Sequence, residues 1–224
     1  MILVGILYTK GLDDCASLLS TLSESERRRI EKIKNQERKE LSTLSRLFIK
    51  KLFEEYFSKK MPEISYGEYG KPFFKDEKTA FSVSYDKGAV AVLISDEERV
   101  GLDIQSFEGD EKKRDGIEKR FFSGLVFSPE NESFDFEIRF FEAEINDGAL
   151  GLVEKDENLT ALLANGEKAY FLWRWTRLEA CLKLFGGGFK DYKNANESLQ
   201  KAKIKTVFFK HGSEDIALSV ALAR

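Results

Sequence analysis

Helical and strand periodicity alternate in blocks along this chain, and that order restricts the folds open to it more than any other feature. Ser23 to Glu26 has the spacing of a capping box, and Leu41, Leu44, Phe48 and Leu52 then recur at helical intervals. One long helix, or two abutting ones, should span roughly Glu24 to Phe57. From Ile64 to Gln105 short β-type runs follow, AFSVSYDK, AVAVLIS and RVGLDIQ among them, broken by Gly, Asp and Lys turns. They read as an antiparallel meander. A second helical stretch runs from about Gly166 to Phe185 through Trp175, Leu178 and Leu182, and Gly186-Gly187-Gly188 stops it. AKIKTVFFK and DIALSVALA are strand-like, as is the opening MILVGILYTK. The expectation is an α+β fold of two similar halves, each a long helix with strands, meeting near Ser106 without a visible sequence repeat.

The 224 residues are 42% apolar and 33% charged, with 3 Pro and 16 Gly, so a substantial core is possible and collagen-like, mucin-like and low-complexity classes are excluded. Basic and acidic side chains number 36 and 39, a net charge of −3. That is too near neutrality for general attraction to nucleic acid or anionic lipid, so any anion site must be local. Two local imbalances exist. Glu26–Lys60 carries 12 basic and 6 acidic residues, a face that could hold phosphates, although a solvated helix surface of mixed charge explains it equally well. Ser106–Thr160 carries 15 acidic and 7 basic residues, and the alternation in SFDFEIRFFEAEI suggests a hairpin or an exposed edge.

No apolar run approaches the roughly 18 residues of a membrane span, and MILVGILYTK lacks a basic leader and a small-residue cleavage site. Cys15 and Cys181 fit neither a disulfide framework nor a zinc motif. A reducing compartment, the cytoplasm, is therefore expected, with no membrane or nucleic-acid partner. The single histidine, His211, lies in the turn-like KHGSED and excludes His-rich metal sites and two-histidine acid–base schemes. A Ser-His-Asp triad would have to use it, and no nucleophile-elbow motif accompanies it.

In Val100-Gly101-Leu102-Asp103-Ile104-Gln105, strand alternation turns Val100, Leu102 and Ile104 toward a core and Gly101, Asp103 and Gln105 to the other face. Two oxygen-bearing side chains at i, i+2, with Gly leaving room beside them, form a platform for a hard cation such as Mg²⁺. A solvated strand face or a turn-capping Asp accounts for the pattern too. Trp175, Glu179 and Lys183 are spaced i, i+4, i+8 and lie along one helix stripe; an ordinary Glu-to-Lys surface pair has the same spacing. Trp173 and Trp175 beside Glu179, followed by three glycines, favour a built site, because such glycines are costly unless close approach or unusual backbone angles require them.

Five segments in order resemble the 4'-phosphopantetheinyl transferase superfamily, in its larger single-chain form of two similar halves, the surfactin-synthetase-activating type. They are Tyr69-Gly70-Lys71-Pro72, Phe81-Ser82-Val83-Ser84-Tyr85, Val100-Gly101-Leu102-Asp103-Ile104-Gln105, Arg120-Phe121-Phe122-Ser123, and Trp175 through Lys183 with the trailing glycines. The likeness covers about Arg27 to Phe189. It implies a pseudo-dimer of two lobes, 1–105 and 106–224, each a long helix on a small mainly antiparallel sheet, with coenzyme A between them. The acidic, aromatic-rich stretch around 123–158 is longer than in typical relatives and reads as an insertion.

The resemblance implies a reaction in which a serine of an acyl or peptidyl carrier protein attacks the pyrophosphate of coenzyme A, taking phosphopantetheine and releasing 3',5'-ADP with the help of Mg²⁺. Asp103 matches the family's first metal carboxylate, and Glu179 the metal-bound Glu of the helical motif, which also receives the serine proton. Gln105 stands where a further acid is frequent; its amide oxygen can ligate the ion or hold its water. Lys183 matches the lysine that neutralises charge on the pyrophosphate. Lys71 would lie near the nucleotide, Ser84 would bind phosphate, and Lys50 falls about where a basic residue meets the 3'-phosphate. Tyr85 occupies the usual His position and keeps only a neutral hydroxyl donor, and Leu178 stands where a Lys usually precedes the Glu. These two departures recommend an alternative, a diverged non-catalytic coenzyme A- or carrier-binding member of the same fold. Two halves supply their own internal interface, which fits a monomer.

Overall fold

The computed structural model describes residues 1–9, 16–86, 88–106, 111–127, 136–146, 149–155, 166–211 and 214–223; Cys15 lies outside them. After strand β1 (Ile2–Tyr8) and a single turn α1 (Ala16–Leu19), the first helical stretch is two helices, α2 (Glu24–Glu31) and α3 (Gln36–Phe57). Each has its own cap. The Ser23 hydroxyl accepts from the Glu26 N–H at 3.4 Å, and the Asn35 side chain accepts from the Arg38 N–H at 2.8 Å. Asn35 starts a new helix, and so the expected span is broken at Lys32–Asn35.

Strands β2 (Ile64–Tyr66) and β3 (Pro72–Phe74) pair with each other, followed by β4 (Ala80–Asp86), β5 (Ala89–Ser95) and β6 (Val100–Ser106). Helix α4 (Glu111–Ile117) runs into a π-helical turn, Glu118–Phe122. Strands β7 (Ile138–Asn146) and β8 (Ala149–Lys155), helix α5 (Glu167–Phe185), a 3-10 segment (Gly188–Asn194), helix α6 (Ala195–Lys201) and strands β9 (Ala202–His211) and β10 (Glu214–Ala223) complete the described elements. The architecture is α+β. Among the described residues no helix is long and apolar enough to cross a membrane.

The expected meander stops at β5. β4 and β5 are an antiparallel pair, but the other side of β5 is taken by β1, and β6 leaves to pair with β10. β5 is buried along its whole length and β1 over all but its last residue, the pattern of strands at the centre of a sheet covered on both faces. The two larger sheets are β4-β5-β1-β7-β8 and β6-β10-β9, and β2-β3 stands apart as a two-stranded sheet. β7 runs parallel to β1 and antiparallel to β8, so the alternating acidic segment is a hairpin with β8 as the edge. Its residues 128–135, 147–148 and 156–165 lie outside the described ones.

The two sheets pack face to face. Ile2, Val4, Ile6 and Leu93 of the first meet Val100, Leu102, Ile104, Leu218 and Val220 of the second in one buried cluster. Helix α3 covers the outer face of the five-stranded sheet through Leu44, Phe48 and Leu52 against Leu3, Leu7 and Val92. Helix α5 covers the three-stranded sheet, Leu178 and Leu182 against Ala217, and Ala180 and Leu184 against Ile204 and Ala221. Burial of each such aliphatic side chain contributes about 1.5–3 kcal/mol, so all three interfaces hold the layers. Both helices press on a glycine: Phe48 crosses Gly5 of β1, and the α5 backbone crosses Gly101 of β6.

The edges β4 and β6 meet through side chains. The Ser82 Oγ accepts from the Leu102 N–H at 3.1 Å and the Asp86 carboxylate accepts from the Ser106 N–H, so hydroxyl and carboxylate oxygens satisfy donors that no strand reaches. His211 ends β9 rather than sitting in a turn, and its ring stacks on Tyr8 at 3.5 Å between centroids, an apolar contact across the two sheets.

Candidate active site

The β4–β6 junction and the last turns of α5 bring four of the sequence candidates together. The alternation of β6 that sends Val100, Leu102 and Ile104 into the inter-sheet core turns Asp103 toward α5. Asp103 is 2% exposed, and its Oδ1 accepts from Ser84 Oγ at 2.7 Å and from Lys183 Nζ at 2.7 Å. Lys183 also donates to Ser84 Oγ at 2.8 Å. Glu179, one helical turn before Lys183, meets the carboxyl of Asp103. Leu178 faces the other way, into the core with Phe122 and Phe171, and leaves no polar gap at the site. Trp175 lies in an aromatic cluster with Phe121, Phe171 and Phe189, which packs the π-helical turn onto α5.

The two carboxyls crowd each other. Burial, then the charge of Asp103, pushes Glu179 up to about 8, against the pull of Lys183. Burial also raises Asp103, opposed by the Lys183 ammonium and by the hydrogen bonds from Lys183 and Ser84. The Oδ2 of Asp103 is buried with no hydrogen-bond partner among the described residues. An orphaned carboxylate oxygen beside a second, charge-starved carboxyl fits a divalent cation. Among the described residues no group of three or more His, Cys, Asp or Glu converges, so such an ion would have two protein carboxylates and fill its shell with water and ligand oxygens, the habit of Mg²⁺. The Gln105 amide nitrogen donates to Asp86 Oδ1 at 2.9 Å and to the Ser106 carbonyl at 3.0 Å. Its side chain is thus engaged beside the pair, on the Asp86 side.

Lys183 also lines a cleft of about 780 Å³ between the α2–α3 corner, the β2–β3 turn and the glycines after α5. Basic side chains on its walls include Arg29, Lys32, Lys34, Arg38 and Arg46, and among the described residues that line it there is no Asp or Glu. Part of the basic run of the sequence therefore lines a cleft with room for an anion of nucleotide size. Arg46 is fixed by a buried ion pair to Glu26 at 2.6 Å and by Tyr66 at 3.1 Å, and Arg29 lies on the Tyr66 ring at 3.4 Å. Tyr85 lines the cleft and shares a 3.0 Å hydrogen bond with Ser45. Lys50 is outside the cleft lining, half exposed and 3.6 Å from Glu54; Arg46, one turn earlier on α3, lines the wall. The sequence reading missed Arg46 and Arg38, for which the local charge excess was the available signal.

Lys71 reaches inward. Its Nζ donates to the carbonyls of Lys183 at 2.6 Å, Val100 at 3.1 Å and Leu184 at 3.2 Å. Burial and the nearby Arg99 lower it to about 8. Beyond α5, Gly186 takes φ +87° as the helix cap, with its N–H on the Leu182 carbonyl at 3.2 Å, and Gly188 takes φ +54°. Two of the three glycines thus occupy backbone that other residues adopt only with strain.

This basic cleft with a carboxyl pair at one end can be set beside known proteins. The chain is 32% identical over 130 residues to the 4'-phosphopantetheinyl transferase AcpT of Escherichia coli (strain K12), and equally to that of Escherichia coli O157:H7. The match takes in 57% of this chain and 50% of each relative. The chain spans about half the length of the curated relatives it matches. No family model matches it.

Proposed function

We propose that the protein is a 4'-phosphopantetheinyl transferase, moving the phosphopantetheine of coenzyme A to a serine of an acyl or peptidyl carrier protein and releasing 3',5'-ADP. The observation that carries this reading is the meeting of Asp103, Glu179 and Lys183 beside a cleft lined by basic side chains and, among the described residues, by no acid. The similarity to AcpT proteins supports it. The lobes 1–105 and 106–224 of a pseudo-dimer would centre on α3 and α5, with β6 crossing to pair with β10 and β7 crossing to pair with β1, and cytoplasmic localisation is expected for such chemistry.

Coenzyme A would lie along the cleft, its phosphates toward the basic α2–α3 corner and its pyrophosphate at Lys183. Asp103 and Glu179 would hold Mg²⁺, which supplies charge neutralisation for the pyrophosphate and for the crowded carboxyls. In the transfer, the serine Oγ forms a bond to the phosphorus bearing the pantetheine arm while the bond from that phosphorus to the bridging oxygen breaks. Ionised Glu179 takes the hydroxyl proton, and Lys183 neutralises the charge left on 3',5'-ADP. The test is incubation with coenzyme A, Mg²⁺ and a panel of apo-carrier proteins, followed by mass measurement of the carriers. A phosphopantetheine adduct is expected on at least one; none on any carrier, with coenzyme A still raising the melting temperature, would leave the non-catalytic binding reading.

The carboxyl pair also sets a pH dependence. Glu179 binds its proton up to about 8 when folded and releases it near the ordinary carboxyl value of 4.5 when unfolded. Between those values the folded state holds the extra proton, so metal-free stability falls as pH rises through this window. Thermal melts of the metal-free protein are expected to show a lower melting temperature at pH 8 than at pH 5.5, and added Mg²⁺ should recover more at pH 8. Equal Mg²⁺ effects at both pH values would contradict the assigned site.

A further inference from the structure

Lys71 has three N–H donors, and three backbone carbonyls receive them: Val100, Lys183 and Leu184. An ammonium so engaged keeps no donor for a phosphate in the cleft, although its stem forms part of the wall. The carbonyls it holds are specific in their placing. Val100 begins β6, three residues before Asp103, and Lys183 and Leu184 end α5 one turn after Glu179. The last carbonyls of a helix have no partners within it and carry the negative end of its dipole, so a buried cation there is favourable twice over. Lys71 itself is anchored in the β2–β3 turn, where its carbonyl accepts from the Gly67 N–H at 2.9 Å, and its Cδ lies 3.8 Å from where a Cβ on Gly186 would be. One side chain from a third element thus fastens the strand carrying Asp103 to the helix carrying Glu179 and Lys183.

We infer that Lys71 is a positioning residue, which sets the carboxyl pair and Lys183 in register from behind and does not bind the ligand. The inference deepens, and rests on, the transferase reading for its kinetic part alone. In Lys71→Met, kcat for transfer should fall about 10- to 100-fold, the scale of small misplacements of reacting groups, while KM for coenzyme A moves less than about twofold. Lys71→Arg, which retains cationic donors, should recover most of kcat. Residue-resolved amide exchange at Gly186 should be at least about tenfold faster in Lys71→Met than in the wild type, since its helix end loses its tie.

A KM for coenzyme A raised about tenfold at unchanged kcat, with Gly186 exchange unaltered, would make Lys71 a ligand contact and overturn the inference. Should Lys71→Met not fold, the ligand-free wild type labelled with ¹⁵N-lysine decides: a Lys71 ammonium slow to exchange, and unmoved by added coenzyme A while Lys183 shifts, supports the tie. A Lys71 ammonium that exchanges freely, or that shifts with coenzyme A, rejects it. If the wild type modifies no carrier, the transferase reading fails alone, and the exchange and ammonium measurements still judge Lys71.

Discussion

Asp103→Asn is expected to lower phosphopantetheine transfer by on the order of 1,000-fold or more, about 4 kcal/mol of transition-state stabilisation, with the protein still folded. Asparagine keeps the shape of the side chain and an oxygen for Ser84 and Lys183, now at 2.7 Å each, but it removes the charge that would bind the cation. Lys183 is not stranded by the change, because its side chain is 28% exposed and can turn to the cleft. Single-turnover transfer to a carrier, followed by mass measurement, checks the rate. Retention of more than about a tenth of the wild-type rate would sink the role of Asp103 at the metal. Glu179→Gln is expected to fall as far, and for a linked reason it should also flatten the pH dependence of the metal-free melting temperature, since glutamine has no proton to lose.

Gly101→Ala should destabilise the protein by about 3 kcal/mol or more, at the upper end for overpacked cores. A Cβ at residue 101 would overlap the Ala180 carbonyl oxygen and stand 2.7 Å from the Leu184 nitrogen, both backbone atoms of α5 that no rotamer change can move. The helix would have to lift off β6, separating Glu179 and Lys183 from Asp103. Gly116→Ala on α4 is the control: among the described residues nothing lies within 4 Å of its added Cβ, and the exchange should be neutral or stabilising by up to about 1 kcal/mol. Urea unfolding of the two variants makes the comparison. A Gly101→Ala midpoint equal to wild type would mean that the helix and strand are not in the close contact described. The expectation that Gly101 merely leaves room for a cation needs revision, since the α5 backbone occupies that room.

Features carried by neighbours in the chain were legible beforehand. The cap at Ser23, the stop at Gly186, the i, i+4 stripe of Glu179 and Lys183 and the two-residue alternation of β6 all depend on local backbone geometry. One long helix or two abutting ones were both open on the sequence, and the second holds; the place of the break at Asn35 was not legible, because the apolar spacing of α3 continues a helical period while only one polar cap marks the interruption. Lys50 and Arg46 show the same limit within the site. Both sit on α3 one turn apart, and what turns Arg46 to the cleft is Glu26 of α2 and Tyr66 of β2, contacts 20 residues away in either direction.

From its residues alone the chain determined its longer helices, most of its strands and which faces of them are apolar, because those follow from side-chain period and capping within a few residues, whereas the short helices α1, α4 and α6 carry too few periods to be read. Only the tertiary structure decided that β6 pairs with β10 instead of extending the meander, that Lys71 turns inward onto three carbonyls, and that the half-buried Glu179 comes up to the buried Asp103. The reason is that a strand edge, an ammonium and a carboxyl each accept many partners of equal local merit. Burial selects among those partners, because a polar group left unmatched in the interior costs free energy.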